Sequence, residues 1–337
     1  MRKLNLAIVG ATGAVGQEML KILAQRNFPV GKLHLIASAK SSGRKILWKK
    51  QEIVIETYQE GCFDEIDIAL FSAGSLLSKK LAPIAADCGC VVIDNSSAFR
   101  MKHDVPLIVP EVNAEKLAEH EGIIANPNCS TIQLVAALNP LRQLSRIEKI
   151  VVSTYQAVSG SGLDAISELE NQSRAVLSGA KVERRVFPHQ IAFNAIPHID
   201  LFETNGYTKE EMKMIHETRK IFDDDQIEIN PTAVRIPVFN GHSESVYIET
   251  AQALSLEEMR EAIRKTSYLK LVDEVEADKY PLALMTEFYD EVLVGRLRKD
   301  LHNPRATNLW IVANNLRKGA ALNAVQIAEK LIELDLL

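Results

Sequence analysis

Short apolar runs and amphipathic stretches alternate through the first third of the chain. Leu4–Val9 is a β-rich apolar run that stops at Gly10, and a helical pattern follows over about residues 14–25. Further strand-like runs lie at 33–37, 66–71, 91–94 and 123–125, with a helix expected over 75–87. Strands of three to six residues, most of them separated by helices, predict βαβ units and a mostly parallel sheet with helices on both faces. After about residue 130 the pattern changes. Apolar and polar positions alternate over 149–155, 233–238 and 245–251, which predicts longer, antiparallel strands with one face covered. Helices are expected near 162–177, 208–222 and 256–265, and again over 320–334. The fold class expected is therefore α/β: a Rossmann-like, doubly wound domain with a mostly parallel sheet plus an α+β domain with a mixed or antiparallel sheet. The boundary is placed at 128/129. The segment 315–337 is expected to return to the first domain, leaving 129–314 as the second.

Length and composition narrow the class. At 337 residues, two domains are expected. Hydrophobic residues at 47% exclude wholesale disorder. A net charge of -5 offers no basic excess for nucleic acid or an anionic membrane surface. No apolar run reaches the roughly 18 residues of a membrane span. The basic start at Arg2-Lys3 is followed by too short an apolar stretch for a signal peptide. Four cysteines, Cys62, Cys88, Cys90 and Cys129, are too few for a disulfide framework and fit reduced thiols in a cytoplasm. Cys88-Gly89-Cys90 lacks the second pair a zinc site needs, so no metal is expected.

Three constellations carry candidate chemistry. Gly10-Ala11-Thr12-Gly13-Ala14-Val15-Gly16 follows a strand and opens a helix, the context in which glycines let a backbone approach a diphosphate at a helix N-terminus. A plain strand–helix turn is the alternative. The acid that usually marks an NAD site some 20 residues on is missing; Lys40, Ser41 and Arg44 stand there, which suits the 2′-phosphate of NADP unless Lys40 is merely a solvated loop residue. The second constellation is Asn126-Pro127-Asn128-Cys129-Ser130-Thr131, just before a helical apolar run. A thiolate at a helix N-terminus is stabilised by the dipole and local N–H groups, so Cys129 is a candidate nucleophile. A lone cysteine is more often a small core residue, but the polar flanks argue against that here. The third is Arg235 to Glu244, in which a Gly-containing turn displays His242, a residue type able to move a proton near neutral pH. Arg100 follows a strand and can grip phosphate with its fork. Gln156–Gly162 is a Gly/Ser loop at a strand end. Thr208–Glu211 reads as a capping box, with Glu210 and Lys213 spaced as a surface ion pair.

Taken together and in order, these stretches resemble the aspartate-β-semialdehyde dehydrogenase family. The carrying segments are 10–16, 94–100, 109–113, 126–131, 156–162, 210–213, 235–242 and 315–320. One departure is Ser75, which stands where the family often has glycine. The resemblance implies that Cys129 is the acyl-forming nucleophile and His242 the acid/base. It implies that Gln156, Arg235, Glu210 and Asn128 bind substrate and that Arg100 and Lys213 hold phosphate. It also implies that Gly10, Thr12, Gly13, Ala14, Val15, Lys40, Ser41, Ser159, Gly160 and Asn315 contact NADP. The implied activity is NADPH-dependent reductive dephosphorylation of L-4-aspartyl phosphate to L-aspartate 4-semialdehyde through a cysteine thioester. That reaction serves lysine (through diaminopimelate), methionine and threonine biosynthesis. A homodimer or homotetramer is implied, with pairing through the second domain's sheet. The alternative is N-acetyl-glutamyl-phosphate reductase, whose cysteine typically stands between glycine and an aromatic residue rather than between Asn128 and Ser130.

Overall fold

The computed structural model describes residues 2–337. The chain divides into two compact units, one running to Asn128 and resuming over Ala320–Leu337, the other Cys129–Gly319. The returning segment thus begins at 320 rather than 315.

In the first unit the elements are β1 (Leu4–Val9), α1 (Ala14–Gln25), β2 (Val30–Ile36), β3 (Lys45–Trp48), β4 (Gln51–Glu56), β5 (Ile68–Phe71), α2 (Ser75–Asp87), β6 (Val91–Asp94), α3 (Pro110–Asn113) and β7 (Ile123–Ala125). They build a seven-stranded sheet in the order β3-β4-β2-β1-β5-β6-β7. Every pairing is parallel except the β3–β4 hairpin. The order reverses direction at β1, where α/β sheets bind ligands. The hairpin is an addition that sequence reading passed over. Its turn is Lys49-Lys50, both with positive φ (44° and 67°), and it lacks the Asn-Gly or Asp-Gly signature of such turns. The last helix, α8 (Leu322–Glu333), packs its Leu322, Val325, Ile327, Ala328 and Leu331 into the same core as Leu6, Ile8, Leu23, Ile93 and Ile124. A helix that buries that many apolar side chains is an integral layer of the unit, despite lying some 200 residues away in sequence.

The second unit contains α4 (Cys129–Leu144), β8 (Ile147–Gln156), α5 (Leu163–Ser178), α6 (Lys209–Phe222), β9 (Glu228–Arg235), β10 (His242–Thr250), α7 (Leu256–Arg264), β11 (Leu269–Leu271), β12 (Val292–Lys299) and β13 (Ala306–Ala313). Its sheet has the order β11-β12-β13-β10-β8-β9. The sheet is mixed. β8–β10, β10–β13 and β12–β13 are antiparallel, while β8–β9 and β11–β12 are parallel. Two expectations are corrected here. The strand expected over 233–238 is Glu228–Arg235, and it runs parallel to β8. Pro231 disguised its first half; as an edge strand β9 tolerates a residue with no N–H to donate. Along β10 the residues His242, Glu244, Val246, Ile248 and Thr250 are buried in alternation, facing the helical layer. α4 contributes to that layer, and Ser130 through Leu138 are all buried along it.

Candidate active site

The site in the second unit is assembled at one end of the mixed sheet. β8 ends at Gln156, which pairs in register with Arg235 at the end of β9. β10 starts at His242, opposite the last residue of β13, Ala313. Three strand ends thereby bring together residues that are far apart in sequence. Between β9 and β10 the chain turns through Gly241 (φ 89°), where a Cβ would lie 2.8 Å from the Ala283 carbonyl oxygen, so only glycine serves. Arg235 ends β9 and His242, expected on the turn itself, is the first residue of β10.

His242 is fully buried. Its Nδ1 accepts a hydrogen bond from the backbone N–H of Ala157 at 3.0 Å. The neutral ring therefore carries its proton on Nε2. Arg235 donates from Nη1 to the carbonyl of the same Ala157 at 2.7 Å. Ala157 thus fixes both side chains through its two main-chain groups, a role with no side-chain signature in the sequence. Burial, and then the neighbouring Arg235 charge, push His242 down to about 3, with Glu210 opposing. Burial also lowers Arg235, against the pull of Glu210 and Cys129. Gly160 closes the gap beside them: a Cβ there would stand 3.0 Å from Arg235 Nη1 and 3.3 Å from His242 Nε2.

A polar chain continues from Gln156. Its Oε1 accepts from Thr154 Oγ1 (3.2 Å) and its Nε2 donates to Glu210 Oε1 (3.1 Å). Lys213 donates to Glu210 Oε2 (3.1 Å) and to Asp200 Oδ2 (2.8 Å). The sequence suggested a surface ion pair, yet Glu210 is only 6% exposed. Burial works against the Lys213 ammonium, but the two carboxylates outweigh it and raise its pKa. Asp200, which nothing in the sequence singled out, is in turn held ionised by Lys213 against its own burial. The capping box at Thr208 and Glu211 is present, and Glu211 also accepts from the N–H of Ala233 at 2.9 Å. That bond ties α6, and with it Glu210, to β9.

Cys129 is the first residue of α4 and is half-buried. Gly319, in a π turn over Arg317–Ala321, abuts it: a Cβ on Gly319 would come within 2.9 Å of Cys129 Cβ. The other thiols are raised: Cys62 chiefly by its partial burial, the exposed Cys88 by slight desolvation together with its hydrogen bond to Asp64, and the buried Cys90 to about 12. Asn315 is buried and spans two loops, donating to Ser159 Oγ (2.9 Å) and accepting from the Gly241 N–H (3.0 Å). The polar atoms of Ser159 and Asn315 are thus engaged with each other.

The remaining expected residues lie in the first unit. Gly10 to Gly13 form the turn between β1 and α1 and Ala14 and Val15 open the helix, with Gly13 as the N-cap and no side chain capping it. A Cβ on Gly16 would press on Ala11 Cα at 2.9 Å, so helix and turn pack closely. Uncapped N–H groups at the sheet's switch point fit a dinucleotide diphosphate. Lys40 is exposed and Ser41 buried in a short turn after β2. Arg100 is buried, with Nη2 donating to the Asn95 carbonyl (2.9 Å). Its loop is pinned by buried Asp94, which accepts from Ser78 and Ser96. Asn128, buried, is bonded directly to Cys129 along the chain.

Comparison with known proteins is consistent along the whole chain. Residues 5–120 match the semialdehyde dehydrogenase NAD binding domain and residues 138–318 the semialdehyde dehydrogenase dimerisation domain. Aspartate-semialdehyde dehydrogenase of Aquifex aeolicus is 53% identical over 98% of both chains, and that of Bacillus subtilis 49% identical over 99% of both. The crystal structure of aspartate semialdehyde dehydrogenase II from Vibrio cholerae, complexed with ASA, is 48% identical and superposes with a TM-score of 0.96 over 99% of each chain. Among the described residues no helix is long and apolar enough to cross a membrane. With both domains matched and half of all positions shared with such relatives, the chain belongs to the aspartate-semialdehyde dehydrogenase family of oxidoreductases.

Proposed function

We propose that the chain converts L-4-aspartyl phosphate to L-aspartate 4-semialdehyde with NADPH, through a thioester on Cys129. The observation that carries this reading is the group of Cys129, Arg235, His242, Gln156 and Glu210 in one unit, with Arg235 and His242 fixed on the same residue, Ala157. The Cys129 thiolate attacks the acyl carbon; a C–S bond forms and the C–O bond to phosphorus breaks, phosphate leaving with the electron pair. Arg235 presents a buried guanidinium for the substrate carboxylate. Glu210, a buried carboxylate, faces the substrate ammonium and disfavours an acylated, uncharged nitrogen. That separates the free amino acid from its N-acetylated glutamate counterpart. Arg100 and Lys213 are assigned to phosphate, which must share Lys213 with its two carboxylates.

NADPH, when bound at the Gly10–Val15 turn, supplies hydride to the thioester carbon. Lys40 and Ser41 are assigned to its 2′-phosphate, and Ser159, Gly160 and Asn315 are assigned as further cofactor contacts. The tetrahedral carbon on Cys129 then bears an oxyanion, and His242 Nε2–H is the group placed to donate to it. Because Nδ1 is occupied by a donor, His242 begins as a neutral hydrogen-bond donor, not as an imidazolium. Collapse breaks the C–S bond, releasing aldehyde and thiolate. The second unit's match to a dimerisation domain supports a homodimer through its sheet.

The test is phosphate-dependent reduction of NADP with aspartate semialdehyde, run beside the N-acetylglutamate semialdehyde. Turnover with the first and not the second is expected, and it should vanish in Cys129→Ala while NADPH binding persists. Preference for the acetylated substrate, or turnover by Cys129→Ala, refutes the proposal.

A further inference from the structure

Glu244 is a buried acid that the mechanism does not use. Glu244 lies two residues after His242 on β10, on the same face of the strand, and is fully buried. Gln133 lies four residues, about one turn, after Cys129 on α4 and is also fully buried. The carboxyl of Glu244 faces the Gln133 side-chain amide, and α4 packs against β10. Both carboxylate oxygens and both amide atoms are buried, and none of the four has a hydrogen-bond partner of normal geometry among the described residues, so each side chain has only the other to face. The cross-strand neighbours of Glu244 are Thr154 and Ile311, neither a cation.

The spacing gives this pair its meaning. Two residues along a strand advance about 6.8 Å, and four along a helix about 6 Å. The two steps nearly match. Contact between Glu244 and Gln133 therefore fixes which part of α4 lies at the start of β10, and so where Cys129 stands relative to the His242 and Arg235 end of the sheet. The rest of the α4 surface is apolar from Ile132 to Leu138 apart from Gln133, and a greasy surface alone slides without a preferred register. A single buried polar contact is a known means of specifying register.

We propose that Glu244 and Gln133 are positioning residues: a buried acid–amide pair that sets the register of α4 on β10 and thereby places Cys129. The pair is complete when the acid is neutral, since one O–H and one N–H can then each meet an opposing carbonyl. Burial drives Glu244 in that direction, raising its pKa well above the ordinary carboxylate range, with Gln133 opposing. The proposal rests on the assignment of Cys129 as nucleophile made above.

The test measures kcat, KM and melting temperature, together with the rate at which iodoacetamide alkylates Cys129, followed on its own peptide by mass spectrometry. Labelling reads the placement of the sulfur whether or not the proposed reaction is right, whereas a failed reaction would show in the wild type. Glu244→Gln keeps a complementary amide pair and is expected to stay within about threefold of wild-type kcat. Glu244→Leu and Gln133→Leu each strand a polar partner and are expected to lower kcat by about 10–100-fold, the scale of an ångström-level misplacement, with KM for NADP unchanged and Cys129 labelling altered. The double variant Glu244→Leu/Gln133→Leu removes both polar groups, so its melting temperature should recover while kcat and labelling do not. The exchanged pair Glu244→Gln/Gln133→Glu should recover kcat. If the single leucine variants fail to fold, the double and exchanged variants still decide. Recovery of kcat in step with stability in the double variant, or no rescue by the exchange, overturns the proposal and leaves only packing.

Discussion

Gly319→Ala is a direct way to move the proposed nucleophile, the Cys129 sulfur, without touching it. The added methyl would stand 2.9 Å from Cys129 Cβ and 3.4 Å from its Cα. Carbon atoms rest at about 3.5–4.0 Å, so at least ~0.6 Å of room is missing. Neither side yields easily. The Gly319 N–H is bonded to the Asn314 carbonyl at 3.0 Å, and the α4 residues after Cys129 are buried. Gly319 does not have a positive φ, so alanine brings no backbone strain of its own and the effect is steric. Overpacking of this kind costs about 1–3 kcal/mol, which lowers the melting temperature by a few degrees in a domain this size. The functional effect is larger, because displacing a nucleophile by about 1 Å costs about 100-fold in rate. Initial rates of NADP reduction with aspartate semialdehyde and phosphate should therefore show kcat down 10–100-fold, with KM for NADP near wild type. A variant that melts lower but keeps kcat within about threefold would mean that the methyl is accommodated away from the sulfur, and that Gly319 does not set its position.

Three further outcomes follow from the same geometry. His242 has a folded pKa near 3 against an ordinary value of 6.5. As the pH falls below 6.5 the unfolded chain takes up a proton that the folded chain refuses, so stability declines toward pH 3 by about 1.4 kcal/mol per pH unit from this group. Urea titrations from pH 7 to pH 4 should show that slope reduced in His242→Gln; an unchanged slope would contradict the burial. Gly160→Ala puts a methyl 3.0 Å from Arg235 Nη1 and 3.3 Å from His242 Nε2. It should depress kcat/KM for aspartate semialdehyde by about 10–100-fold, and a neutral result would show that the loop swings clear. Lys213→Met should raise KM for phosphate by about tenfold, the worth of one charged hydrogen bond, while leaving NADP binding alone. An unchanged KM would assign Lys213 wholly to holding Glu210 and Asp200.

What could be foreseen from sequence follows the range of the physics involved. Local rules placed α1, α2, α6 and α7 within two residues, because caps, breakers and amphipathic period act over a single turn. The capping box at Thr208 is the clearest case. The β3–β4 hairpin escaped notice because its turn uses Lys49-Lys50 where the usual signature is Asn-Gly, and β9 was displaced because Pro231 reads as a breaker without knowledge that the strand is at an edge. The chemistry-bearing types, Cys129, His242, Arg235, Gln156 and Glu210, were nameable because a thiol, an imidazole or a guanidinium announces itself. Their supports were not. Ala157 acts through its backbone, Gly160 and Gly319 act by what they lack, and Asp200 matters only because Lys213 reaches it across thirteen residues.

The supports also alter the chemistry that the residue types suggest. A histidine beside a candidate cysteine invites an acid/base pair in which imidazole takes the thiol proton. The Ala157 N–H on Nδ1 argues against that in the resting chain, since the lone pair of the neutral ring is already used and Nε2 carries the hydrogen. Deep burial beside Arg235 works in the same direction by opposing the imidazolium. In the proposed mechanism, thiolate stabilisation is left to the α4 N-terminus and to Arg235, whose guanidinium is close enough to feel a charge on Cys129. On the proposed mechanism His242 is then free to meet the oxyanion that appears later, where a fixed, dry donor has its greatest effect. This division of labour predicts that replacing His242 with asparagine, which keeps an N–H donor but no titratable ring, retains more rate than replacing it with alanine. Equal loss in both would restore proton transfer by the ring as the essential step.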